Sequence, residues 1–197
     1  MATTLKEIRS NLDSLGIRYE EQDGRLGIFF TTERYRDAEG KARILLVLQL
    51  DEDGRYFSLF SLGAFRISGR HVDAFLRACS MVQWETKLVQ FEYRADTGEV
   101  RPTVEFPLED GTLTALQLKR CILGLVGLVD EYYPTLQRAL AEGIVSMPRR
   151  SGPAVQGVRR ALHEALQELT GDSTPEAKSR AEQIKAILTS MHDVEQV

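Results

Sequence analysis

The sequence predicts an α+β fold, with antiparallel strands and amphipathic helices in separate runs of the chain. Three observations carry this. Apolar residues recur at helical spacing up to Gly16 and then switch to alternation. The turn pairs Asp23-Gly24 and Asp53-Gly54 punctuate the alternating region, which sets neighbouring strands antiparallel. Two capping boxes, Thr4-x-x-Glu7 and Thr114-x-x-Gln117, each open a run of helical period.

The elements follow in order. Leu5, Ile8, Leu12 and Leu15 share one helix face, and Gly16 stops the helix, so it spans 4–15. Strands are expected at Ile17–Gln22 and Arg25–Tyr35 around the first turn, then at Ala42–Asp51 and Arg55–Leu62 around the second. Val72, Phe75, Leu76, Cys79 and Val82 mark a second helix over 70–83. Thr86–Arg94 and Glu99–Phe106 form a second hairpin about Asp96-Thr97-Gly98. A long helix then runs from Thr114 to Leu140. Its apolar residues surround much of the circumference, as in a helix buried on several sides. Gly124 and Gly127 within it are expected at a close helix contact, since glycine there costs about 1 kcal/mol against alanine. Gly143–Pro153 holds two Gly and two Pro and reads as a linker. Two further amphipathic helices are expected over 154–197, with stripes from Val155 to Leu169 and from Ala177 to Met191.

At 197 residues, with 43% hydrophobic and 27% charged residues, the chain can bury a core without disulfide or metal staples. The net charge of −4 disfavours a nucleic-acid binder, which normally carries a basic excess. The longest run without a polar residue, Cys121–Val129, is nine residues, about half of a membrane span. No apolar stretch follows Lys6, so no secretory signal is read. Cys79 and Cys121 are then expected as reduced, buried thiols in a cytoplasmic protein.

No catalytic, cofactor or metal site is expected. His71, His163 and His192 stand alone, and Gln167 occupies the position of the second His in a zinc-protease motif begun by His163-Glu164. Asp51-Glu52-Asp53-Gly54 departs from a calcium loop, which places Gln49 at position one and Phe60 at position twelve. It reads as a hairpin turn. The early strands carry the functional signal. Ile44–Leu48 is apolar on both faces, and Phe29-Phe30 and Tyr56-Phe57 put aromatics on both sides. Such a sheet is covered twice or offers a partner an apolar patch. The expected partner-facing set is Phe29, Thr31, Leu45, Val47, Phe57 and Leu59.

The stretch from Trp84 to Pro134 adds a resemblance. Trp84-Glu-Thr-Lys87, Phe91-Glu92-Tyr93, Thr97-Gly98-Glu99-Val100-Arg101 and Glu105-Phe106-Pro107-Leu108-Glu109-Asp110 lead into Leu113-Thr114, Gln117, Arg120-Cys121, Gly124-Leu-Val126, Leu128-Val-Asp130 and Pro134. With the order of elements, this resembles the YbjN-type family, often labelled bacterial sensory-transduction regulators, in its cyanobacterial-type form. The resemblance covers 1–142. It implies a type III secretion chaperone-like fold and a dimer, and it brings no catalytic residues. A homodimer is therefore expected through Val72, Phe75 and Leu76, and a non-enzymatic protein-binding module is the first reading of function. An enzyme with an unrecognised acid–base site and a nucleic-acid adaptor stand as alternatives. The tail 154–197 is expected to pack on the sheet or on the dimer partner and to compete with client segments.

Overall fold

The computed structural model describes residues 2–147, together with 174, 178–180 and 182–185. The chain divides into two units, 1–147 and 148–197. In the second, 178–180 and 182–185 are helical. The rest of the two expected tail helices, and the linker beyond Met147, lie outside the described residues.

The first unit runs α1 (Leu5–Ser14), β1 (Glu20–Gln22), β2 (Arg25–Thr31), β3 (Arg43–Asp51), a 3-10 turn (Glu52–Gly54), β4 (Tyr56–Ser61), β5 (Phe65–Arg66), α2 (Val72–Glu85), β6 (Gln90–Arg94), β7 (Glu99–Pro107) and α3 (Ala115–Glu142). This is the expected order of helix, antiparallel strands, helix, hairpin and long helix, with the two-residue β5 added. Both capping boxes form. The Thr4 hydroxyl accepts the Glu7 N–H at 3.3 Å while the Glu7 carboxylate accepts the Thr4 N–H at 2.7 Å. Thr114 and Gln117 repeat the exchange at 3.2 and 2.9 Å. At the far end of α3, Gly143 supplies the left-handed cap at φ 74° that stops the helix. Val145 and Met147, just past that cap, pack against the core.

All seven strands pair antiparallel, in the order β1-β2-β3-β4-β7. β6 lies along the other edge of β7, and β5 extends the β4 side of it. One face of this sheet is the core. Leu26, Ile28, Ile44, Leu46, Leu48, Phe57, Leu59, Val100 and Val104 are buried there with Ile8 and Leu12 of α1, Phe75 and Val82 of α2, and Leu118, Leu125, Val129 and Tyr132 of α3. The three helices therefore cover one side of the sheet.

The glycines of α3 correct one expectation. A Cβ built at Gly124 or Gly127 meets nothing within 4 Å, so neither marks a close helix contact. Gly54 and Gly98, by contrast, do need glycine. They sit at φ 86° and 69°, and a Cβ would come within 2.0 Å of the Thr3 carbonyl oxygen and 2.3 Å of that of Ile67.

Candidate functional site

The second face of the sheet forms a shallow trough of about 970 Å³. Its floor follows from strand register, because cross-strand partners share a face. Gly27 pairs Val47, Val47 pairs Phe60, and Phe60 pairs Thr103. One step toward the loop end of β3, Gln49 pairs Ser58, which pairs Glu105. At the opposite end Phe29 pairs Leu45. The floor thus grades from Phe29, Leu45, Val47 and Phe60 into Gln49, Ser58 and Asp51.

Two cations sit over the aromatic rings. The Arg101 guanidinium lies 4.3 Å from the Phe60 ring centroid, which leaves that ring 6% exposed. Glu92 holds Arg101 through an ion pair, with Nε donating at 2.8 Å, and also accepts the Thr103 hydroxyl at 3.2 Å. Arg43 lies 5.2 Å from the Phe29 centroid and donates from Nε to Asp37 at 2.8 Å. Phe29 nevertheless remains 52% exposed and Leu62 55%. At the other end, Gln49 Nε2 donates to Asp51 at 2.9 Å.

The loop between β2 and β3 is fastened from behind by Asp130 of α3. Its carboxylate accepts three successive backbone N–H groups, from Glu33 at 3.0 Å, Arg34 at 2.8 Å and Tyr35 at 2.7 Å. Burial works to raise its pKa, and the three donors outweigh it, so the carboxyl sits below its ordinary value. Tyr35 donates its hydroxyl to the Ala64 carbonyl at 2.9 Å, and desolvation pushes its pKa up to about 12.

Three of the expected partner-facing side chains, Phe29, Leu45 and Val47, stand together on the trough, and Thr31 is exposed on the same side of β2. Phe57 and Leu59 do not join them. Both are fully buried in the core, paired with Leu50 and Leu48. The residues of β4 that face the trough are Tyr56, Ser58 and Phe60. β4 is apolar on both faces, so alternation alone could not choose between them. Turn parity could have done so. A two-residue turn at Asp53-Gly54 pairs Glu52 with Arg55 and carries Val47 to Phe60, which is the observed register. On α2, Phe75 is fully buried against Phe65 at 5.3 Å between ring centroids and cannot be a dimer contact. Val72 and Leu76 are partly exposed.

Among the described residues no group of three or more His, Cys, Asp or Glu is placed to hold a metal ion, and no helix is long and apolar enough to cross a membrane. Both cysteines are buried and unpaired. Desolvation pushes the Cys79 thiol up to about 12 and raises that of Cys121, which keeps both in the unreactive protonated form.

No family model matches the chain, and no curated protein matches it by sequence. Matches among solved structures include two. The HopA1–SchA chaperone–effector complex matches with TM-score 0.45 and 16% identity, over 64% of this chain and 88% of that one. YbjN from E. coli, a proposed transcription regulator, matches with TM-score 0.50 and 12% identity, over 68% of this chain and 94% of that one. The likeness to YbjN is one of fold: the chain shares its α+β architecture.

Proposed function

We propose that this chain is a non-enzymatic protein-binding module, chaperone-like or a regulatory adaptor, that buries apolar segments of a partner protein on the open face of its sheet. The observation that carries the reading is the trough itself. Phe29, Leu45, Val47 and Leu62 form an apolar surface on the side of the sheet opposite α1, α2 and α3. Surfaces of this kind mark interaction sites. The β2 edge offers a second means of attachment. β1 pairs only Arg25, Leu26 and Gly27, while β2 continues to Thr31. The Thr32 N–H donates to Ala42 on the β3 side, so by alternation Phe29 and Thr31 direct their backbone groups to the edge that no described strand pairs. An extended segment can add there as a strand and lay alternate side chains beside Phe29.

The same reading makes the chain a cytoplasmic homodimer that associates through the α2 surface of Val72 and Leu76. It treats 1–142 as the binding domain, 143–153 as a linker and 154–197 as a helical appendage. It also makes the chain a cyanobacterial-type YbjN relative, as the Trp84–Pro134 string suggests.

An array of short peptides tests the binding function. The wild-type chain should retain a subset of extended apolar peptides, and a Leu45→Asp, Val47→Asp double variant with an unchanged thermal melt should lose them. Retention of the same peptides by the double variant, or no retention by the wild type, overturns the reading.

A further inference from the structure

The trough is electrically lopsided along the strand direction. Its lining holds six carboxylates, Glu20, Glu21, Asp23, Asp51, Glu52 and Glu105, against two guanidiniums, Arg25 and Arg101. Arg101 is already paired with Glu92, and of the six acids only Glu21 makes an ion pair among the described residues, with Arg9 at 2.6 Å. The acids are not spread evenly. Asp51 pairs Tyr56, Glu105 pairs Ser58, Glu20 pairs Gly27, and Asp23 and Glu52 sit in the adjoining turns. They gather at the hairpin-turn end of the sheet, where Arg25, paired with Gln22, is the one cation of the lining. Phe29 and Leu45 stand at the other end, where Arg43 and Arg101 cap the rings. From Val47 to Asp51 is four residues of strand, about 13 Å of extended chain.

We propose, building on the protein-binding reading above, that the occupant is an extended segment of another protein with apolar residues at one end and two or more Lys or Arg about four residues along. Its apolar end lies on Phe29, Leu45 and Val47, and its basic end meets the carboxylates of the hairpin turns. The charge pattern argues against a second copy of this chain as occupant. Arg43 and Arg101, the cations nearest the apolar end, are already held by Asp37 and Glu92, so a twin stacked trough on trough brings neither as a free cation to the acidic end. Placing like-charged carboxylates together is unfavourable.

Fluorescence anisotropy with three labelled peptides of equal length tests this. All share one apolar half, and the other half carries Lys/Arg, Gln/Ser or Glu. The full chain should bind the basic peptide about tenfold more tightly than the neutral one and the acidic peptide weakest, with the spread narrowing as salt is raised. A Glu20→Gln, Asp51→Asn, Glu105→Gln variant should narrow the spread to about threefold or less while keeping neutral-peptide affinity, because these residues lie outside the apolar set Phe29, Leu45 and Val47; an unchanged spread overturns the charge inference. Equal binding of all three peptides overturns the charge inference and leaves the protein-binding reading standing. Binding of none overturns both.

Discussion

Asp130 shows how one side chain can set the geometry of a site it never touches. Its three backbone acceptor contacts fix the segment Glu33–Tyr35, which follows β2 and leads to Arg43 over Phe29. Asp130→Asn halves the acceptor capacity and removes the charge. Hydrogen bonds to a charged group are worth roughly 1.5–3 kcal/mol, so the variant should lose about 2 kcal/mol by denaturant melts at neutral pH. The pH dependence has a definite sign. The folded-state pKa is depressed, so the contribution is complete above the unfolded value of about 3.9 and is lost as pH falls through the lower folded value. The gap between wild type and variant should therefore close in acid. A gap that persists unchanged there would show that Asp130 does not act through its charge. At this scale the sequence was only partly legible. Phe29, Leu45 and Val47 could be read as partner-facing because their strands are apolar on both sides. Phe57 and Leu59 could not be placed by composition, since their neighbours Tyr56 and Phe60 are equally apolar and only register separates the two sets.

At the scale of elements, helices and hairpins were legible because their signals are local. Capping boxes at Thr4 and Thr114 form as their spacing requires, and the turns at Asp23-Gly24 and Gly98 close the expected hairpins. The two-residue β5 carries too little pattern to read, and it exists because Phe65 and Arg66 find Val100 and Glu99 across the sheet. The glycines give a test with opposite signs. Gly124→Ala and Gly127→Ala add a Cβ in open space on a helix, and each should raise stability by about 0.5–1 kcal/mol. Gly54→Ala and Gly98→Ala combine a positive φ with a clash against backbone, and each should cost about 2 kcal/mol or more. Thermal melts of the four variants decide it. Equal and small effects at all four would refute the packing described around Thr3 and Ile67.

At the scale of the first unit, the two surfaces proposed for partners face different ways among the described residues. α2 belongs to the helical layer, whereas the trough belongs to the opposite side of the sheet, which no described helix covers. Dimerisation through Val72 and Leu76 would thus leave the trough open. Light scattering on a gel-filtration column should give a dimer for the wild type and a monomer for Leu76→Lys with an unchanged melt. Phe75→Ala should instead lose about 3–5 kcal/mol, because it empties a core site. A wild-type monomer across micromolar concentrations contradicts the dimer. The grading of the trough from apolar to acidic was not legible in the sequence. It arises only when β1, β2, β3, β4 and β7 are laid in register, bringing residues as distant as Glu20 and Glu105 onto one surface.

Partner segments are proposed to bind the face of the sheet opposite α1, α2 and α3. Methyl-labelled NMR tests this most directly, because leucines and valines line both faces of the same strands. Titration with a peptide retained on the array should shift Leu45, Val47 and Leu62 strongly and their core-facing neighbours Leu46, Leu48 and Leu59 little. Shifts centred on Val72 and Leu76 of α2, with the three trough methyls unmoved, would contradict the account.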